Sequence, residues 1–231
     1  MRDLFAPPDE GIFYGNNNDN LELAKAWIGT TLAYAIYGVG ASNILTNQFV
    51  TELLIAGVVC GLGFVFHELA HRIVARNYGA QAHFVANNGW LLLSIAIAFA
   101  GIFIAAPGAV WHRGVISLRQ SGLIALAGPV TNLVFALLFL LLWPIIVWTM
   151  PDLLAIDVAG ESVGFFLVNL CAVGYALNAF IGLFNMIPAG PFDGAKVLAW
   201  DRVVFGVTVA VGLVMTFAVR APTVWRWLGV L

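Results

Sequence analysis

Residues 57–77 read GVVCGLGFVFHELAHRIVARN, and this stretch decides how the rest of the chain is read. Ten uncharged residues, Gly57 to Phe66, run straight into His67-Glu68-Leu69-Ala70-His71. On a helix, positions i and i+4 share a face, so the two imidazoles would stand side by side with Glu68 next to them. Two imidazoles at that spacing can bind one zinc, and the adjacent glutamate can take a proton from water. In a soluble chain the same pattern also describes a solvated helix face. Here the preceding run is fit for a bilayer, and His67 stands five residues before Arg72, about 7–8 Å of helical rise. Ionisable groups at such depth are costly and mark function.

The composition agrees with a membrane setting. The 231 residues are 61% hydrophobic and 10% charged, against about 25% charged for an ordinary soluble domain. The net charge of -2 leaves no basic patch for nucleic acid. The expected surroundings are the lipid bilayer. Cys60 and Cys171 lie in apolar runs without CxxC spacing, so they read as packing residues. The polar segment 1–20 lacks the apolar core of a signal peptide and is read as part of the mature chain. One membrane-embedded domain over 1–231 is expected, with its core at about 50–200.

Charge-free stretches place the helices. No Asp, Glu, Lys or Arg lies between Arg119 and Asp152, between Glu161 and Asp193, or between Arg202 and Arg220. A spanning helix needs about 20 mostly apolar residues. The third stretch has 17, which flanking arginines can extend by snorkelling. Helices are predicted near 22–41, 50–77, 121–149, 163–186 and 203–220. Segment 90–106 is expected to be re-entrant or partly inserted, since a full crossing there would leave His67 and Asp193 on opposite sides. The expected fold is an all-α polytopic membrane protein, with five to six membrane segments around a three-helix catalytic core. A re-entrant segment or small β-hairpin is expected between the second and third core elements. Arg72, Arg76, Arg113, Arg119, Lys196 and Arg202 then share one face, while loops 42–49 and 150–162 hold no Lys or Arg. The positive-inside rule makes the charged face cytoplasmic and the chain a multi-pass protein of the cell membrane. His83 and His112 are placed in solvated loops, and Trp90, Trp111, Trp143, Trp148, Trp225 and Trp227 in interfacial belts.

A catalytic zinc takes three protein ligands and keeps one open position. Asp193 is the best third candidate, in Asn185-Met-Ile-Pro-Ala-Gly-Pro-Phe-Asp193-Gly194. Two prolines break the helix there and Gly190 and Gly194 permit sharp turns. The plainer alternative is a helix cap beside Lys196.

These residues resemble the site-2 protease family of intramembrane zinc metalloproteases. HELAH is similar to its HExxH, NMIPAGPFDG to its NxxPxxxxDG, and LAGPVTN, Leu126 to Asn132, to its GxxxN helix. The resemblance covers roughly 50–200. It implies that His67, His71 and Asp193 bind one zinc per chain and that Glu68 is the catalytic base. It further implies that Asn185 assists catalysis and that Asn132 helps bind substrate; Asn132 could equally hydrogen-bond a neighbouring helix. The implied substrate is a transmembrane protein, cut by zinc-activated water. No PDZ-like insertion or CBS-like tail is expected. The alternative function is a non-catalytic zinc-binding membrane scaffold of the same fold, separated from the protease by Glu68, which hydrolysis needs and zinc binding does not.

Overall fold

The computed structural model describes residues 10–14, 18–104, 108–149 and 163–219. Helix α1 (Asp19–Val39) is capped by the Asn18 side chain, which accepts from the Leu21 N–H. Helix α2 (Asn47–Cys60) continues through a π-helical turn (Gly61–Val65) into α3 (Phe66–Asn77), which carries HELAH. Single π turns inside α-helices are common at functional sites. Strand β1 (Gln81–Ala86), the short helix α4 (Asn88–Ala98) and strand β2 (Gly108–Arg113) follow. Then come α5 (Leu118–Thr149), α6 (Val163–Phe184), α7 (Asp193–Trp200) and α8 (Arg202–Leu213), the last continuing as a π turn to Ala218.

Three helices among the described residues are long and apolar enough to cross a membrane: Asn47–Asn77, Leu118–Thr149 and Phe166–Phe184. Only 33%, 28% and 44% of their most apolar windows are buried within the chain. Helices that are apolar on faces the protein leaves uncovered need lipid around them. Helix α1 has the length but carries Asp19, Glu22 and Lys25 near its start. Helix α4 has 11 residues, about 16 Å of rise, roughly half a hydrocarbon core. Predicted loop 150–162 lies outside the described residues, as do Trp225 and Trp227.

Helix α5 is the hub, packing on α6, α3 and α7. The α5–α6 seam buries Ala136, Phe139, Trp143, Cys171, Tyr175 and Ala179. Gly174 makes this seam close, because a Cβ there would meet the Phe139 ring at 2.6 Å. Trp143 is therefore a core residue, where the sequence suggested an interfacial one. Cys60 and Cys171 are both free and buried.

The strands form an antiparallel pair with Gln81 opposite Arg113 and Ala86 opposite Gly108. Burial alternates along β1, with Ala82, Phe84 and Ala86 buried, as a strand with one face on the core requires. The pair packs on α1 and α3. It comes between α3 and α5, which is between the predicted helices 50–77 and 121–149, where a small β-hairpin was expected. His83 and His112 both lie on strands, not in loops. Asp19 ties these parts together. Its Oδ2 accepts from Arg72 at 2.8 Å and Arg76 at 2.9 Å, and its Oδ1 lies 2.9 Å from His83 Nδ1. This fixes the start of α1 to the end of α3 and to β1.

Candidate metal centre

The π turn delivers His67 and His71 to the buried face of α3, with 4% and 6% of their surface exposed. Their rings meet edge to face, centroids 4.6 Å apart, and their Nε2 atoms are 3.0 Å apart. Asp193 reaches them from the first position of α7. Its Oδ2 is 3.3 Å from His67 Nε2 and 3.2 Å from His71 Nε2. The loop between α6 and α7 folds back to make this reach. The Gly194 N–H donates to Asn185 O at 2.8 Å, and Gly190 turns the chain with φ +59°. A Cβ at Gly194 would lie 2.2 Å from Met186 O, so no other residue fits there without moving the loop.

The other ring nitrogens are held by α5. His71 Nδ1 lies 2.7 Å from Ile124 O. A carbonyl only accepts, so Nδ1 carries the hydrogen and Nε2 presents a lone pair. His67 Nδ1 lies 2.6 Å from Asn132 Oδ1, and Asn132 Nδ2 donates to Gly63 O at 2.8 Å. His67 is thereby set in the same tautomer. Gly128, one turn before Asn132, lets α5 approach both rings. A Cβ there would lie 2.5 Å from His71 Nε2 and 2.6 Å from His67 Nε2. The two features of the GxxxN stretch thus have distinct jobs: the glycine makes room and the asparagine holds a ring.

Two imidazole lone pairs and a carboxylate oxygen within about 3 Å of one another, buried, are mutually repulsive unless they share a cation. A tetrahedral zinc with N and O ligands at about 2.0–2.1 Å spaces its donor atoms roughly 3.3 Å apart. The donor set, its spacing and the hydrogen-bonded back of each ring fit zinc.

The three groups open onto a cavity of about 210 Å³. Glu68 and Asn185 line its wall with Val110, His112 and Lys196. The Val110 backbone lies beside the Glu68 carboxylate. Asn185, the first residue after α6, donates from Nδ2 to Ile181 O in the last turn of that helix at 3.0 Å. Asn132 is 0% exposed and lies behind His67, away from the cavity wall.

With this geometry in place, similarity to known proteins is informative. Over 164 residues the chain is 37% identical to "Putative zinc metalloprotease MJ0611" of Methanocaldococcus jannaschii, covering 70% of this chain and 78% of that protein. The chain belongs to this zinc metalloprotease family. It is 32% identical over 149 residues to "Putative zinc metalloprotease YwhC" of Bacillus subtilis, of which it spans 64%. It is 30% identical over 139 residues to "Putative zinc metalloprotease Rip3" of Mycobacterium tuberculosis, of which it spans 28%. No family model matches the chain, and no solved structure does.

Sequence reasoning missed two residues of this site. His112 is at the cavity, on the same face of β2 as Gly108 and Val110. Burial, then the nearby Lys196 and His71, hold its imidazole below the usual pKa. The alternation Val110-Trp111-His112 was the available signal. Asn178 is 0% exposed on α6, and its Oδ1 accepts from Asn132 Nδ2 at 3.0 Å. Asn178 is one of three asparagines, with Asn169 and Asn185, in the charge-free stretch before Asp193, and an amide in so apolar a helix was the clue.

Proposed function

We propose that the chain is an intramembrane zinc endopeptidase of the site-2 protease type, hydrolysing peptide bonds within or near transmembrane segments of membrane-protein substrates. The observation that carries this reading is the convergence of His67, His71 and Asp193 beside a cavity that Glu68 also lines. A bound zinc would bring the pKa of a water toward about 7 and polarise the scissile carbonyl. Glu68 takes the proton of the attacking water and gives it to the leaving amine. Asn185 spends one Nδ2 hydrogen on Ile181 O, and its second is suited to the oxyanion. Asn132 serves by holding His67.

A helical substrate hides its peptide groups, so it must unwind before attack. Strand β2 runs along the cavity with Gly108, Ala109 and Val110 on its wall, and an extended substrate segment adds to it as a further strand. Arg72 and Arg76 hold Asp19 beside β1, Arg113 ends β2, and Lys196 lines the cavity. The connection Gly40–Thr46 has no Lys or Arg. This supports a multi-pass protein of the cell membrane with its site toward the cytoplasmic side.

The test is reconstitution of wild type and Glu68→Gln in liposomes with a single-span test substrate. Wild type should cleave it. Glu68→Gln should keep zinc and lose about 10²–10⁴-fold in rate. Zinc-loaded wild type that cleaves no membrane substrate would favour the non-catalytic scaffold instead.

A further inference from the structure

We propose that Asn178 is a positioning residue for the metal: through Asn132 it fixes which ring nitrogen of His67 is left open. The inference rests on the metal-site reading and not on peptide hydrolysis.

Two main-chain carbonyls set the polarity of the relay. Asn178 Nδ2 donates to Gly174 O at 2.9 Å. A carbonyl can only accept, so the amide nitrogen is committed there and Oδ1 is turned to Asn132. Asn132 Nδ2 has two hydrogens. One goes to Asn178 Oδ1 at 3.0 Å and one to Gly63 O at 2.8 Å. Its Oδ1 therefore faces His67 and accepts from Nδ1 at 2.6 Å. The Nε2 lone pair is left pointing at His71 and Asp193.

A flipped Asn132 amide would reverse this. Its NH2 group would face His67 Nδ1 and favour the tautomer with hydrogen on Nε2, where a metal must bind. The flip would also set Asn132 Oδ1 against two acceptors, Gly63 O and Asn178 Oδ1. Asn132 and Asn178 are both 0% exposed, so water cannot relieve the mismatch, and unpaired buried polar atoms are expensive. Asn178 supplies one of the two penalties that forbid the flip. Gly63 lets α6 come near enough, since a Cβ there would sit 3.2 Å from Ile181 Cδ1 and 3.4 Å from Asn178 Oδ1.

The two histidines thus differ. His71 is oriented by a backbone carbonyl, Ile124 O, which no substitution removes. His67 depends on side chains from two other helices, α5 and α6. The relay makes metal binding sensitive to a residue that touches neither metal nor substrate.

Zinc affinity by chelator competition and ring-nitrogen NMR of the histidine-labelled apo protein test this in detergent. Asn178→Leu removes the relay at similar volume. It should weaken zinc binding by about 10-fold, the lower end for loss of an outer-shell partner, because Gly63 O still opposes the flip. The same variant should show His67 in mixed tautomers while His71 stays uniform. Asn178→Asp, neutral in this site, can donate to Gly174 O and accept from Asn132, so it should rescue both readouts. Ile181→Ala disturbs packing beside Gly63 without touching the relay and should leave both unchanged. If Asn178→Leu does not fold, Asn178→Ala gives the same comparison. Wild-type affinity with a single His67 tautomer in either relay-breaking variant would overturn the proposal. So would an Ile181→Ala variant as impaired as Asn178→Leu. Neither readout uses a substrate, so a failed cleavage assay leaves the result standing.

Discussion

Gly128→Ala adds one methyl group to α5, and the structure fixes where it goes. The new Cβ would lie 2.5 Å from His71 Nε2 and 2.6 Å from both His67 Nε2 and Cε1. Ordinary contact at such pairs needs about 3.5 Å, so the gap must open by roughly 1 Å. The rings cannot simply step back. Their Nδ1 atoms are held by Asn132 at 2.6 Å and by Ile124 O at 2.7 Å, and both partners sit on the same helix as Gly128. Either these bonds break, or α5 retreats with its whole seam against α6. Metal–ligand distances are held within about 0.2 Å, so a 1 Å displacement should weaken zinc binding by at least the 10–100-fold seen when an outer-shell partner is lost. Overpacking of this kind costs about 1–3 kcal/mol in stability. The assays are chelator competition for zinc and thermal unfolding of the purified, detergent-solubilised apo protein. A Gly128→Ala variant with wild-type zinc affinity and unchanged melting would refute the reasoning, because it would mean that the rings are not pressed against α5.

Three further outcomes are expected. Gly194→Ala puts a Cβ 2.2 Å from Met186 O and should displace Asp193, lowering zinc content; full occupancy by metal analysis would show that the loop yields without moving its carboxylate. Asp19→Asn leaves Arg72, Arg76 and His83 around an uncharged partner. It should destabilise the folded protein by about 1–3 kcal/mol while leaving zinc stoichiometry unchanged, as unfolding and metal analysis on the same sample would reveal. Treatment with a strong chelator should abolish cleavage, and zinc should restore it; activity that persists in metal-free protein would remove zinc from the reaction.

The HELAH spacing was enough to place two imidazoles on one helix face, and the prolines and glycines of 185–194 were enough to point to a built loop. Helices were legible because long charge-free runs have few alternatives in a bilayer. The pairing of β1 with β2 was harder to read. Each strand has only six residues, and a short alternation between helices is easily taken for a loop, so His83 and His112 were placed wrongly. Trp143 was misassigned for a related reason: tryptophan suits both an interface and a helix seam, and only the partner helix decides between them. The roles of Asn132 and Asn178 depend on hydrogen-bond polarity among three helices, which no spacing along one helix encodes. Gly128 was visible in the GxxxN stretch, but its reason, contact with two rings some 60 residues earlier, exists only in three dimensions.

The account stands on three side chains sharing one ion. Metal analysis of purified wild type, His67→Ala and Asp193→Ala, compared with Glu68→Gln as a control that keeps all three donors, addresses this most directly. Expected is one zinc per chain in wild type and in Glu68→Gln, and little or none in the other two. Full zinc in Asp193→Ala, or none in carefully prepared wild type, would contradict it.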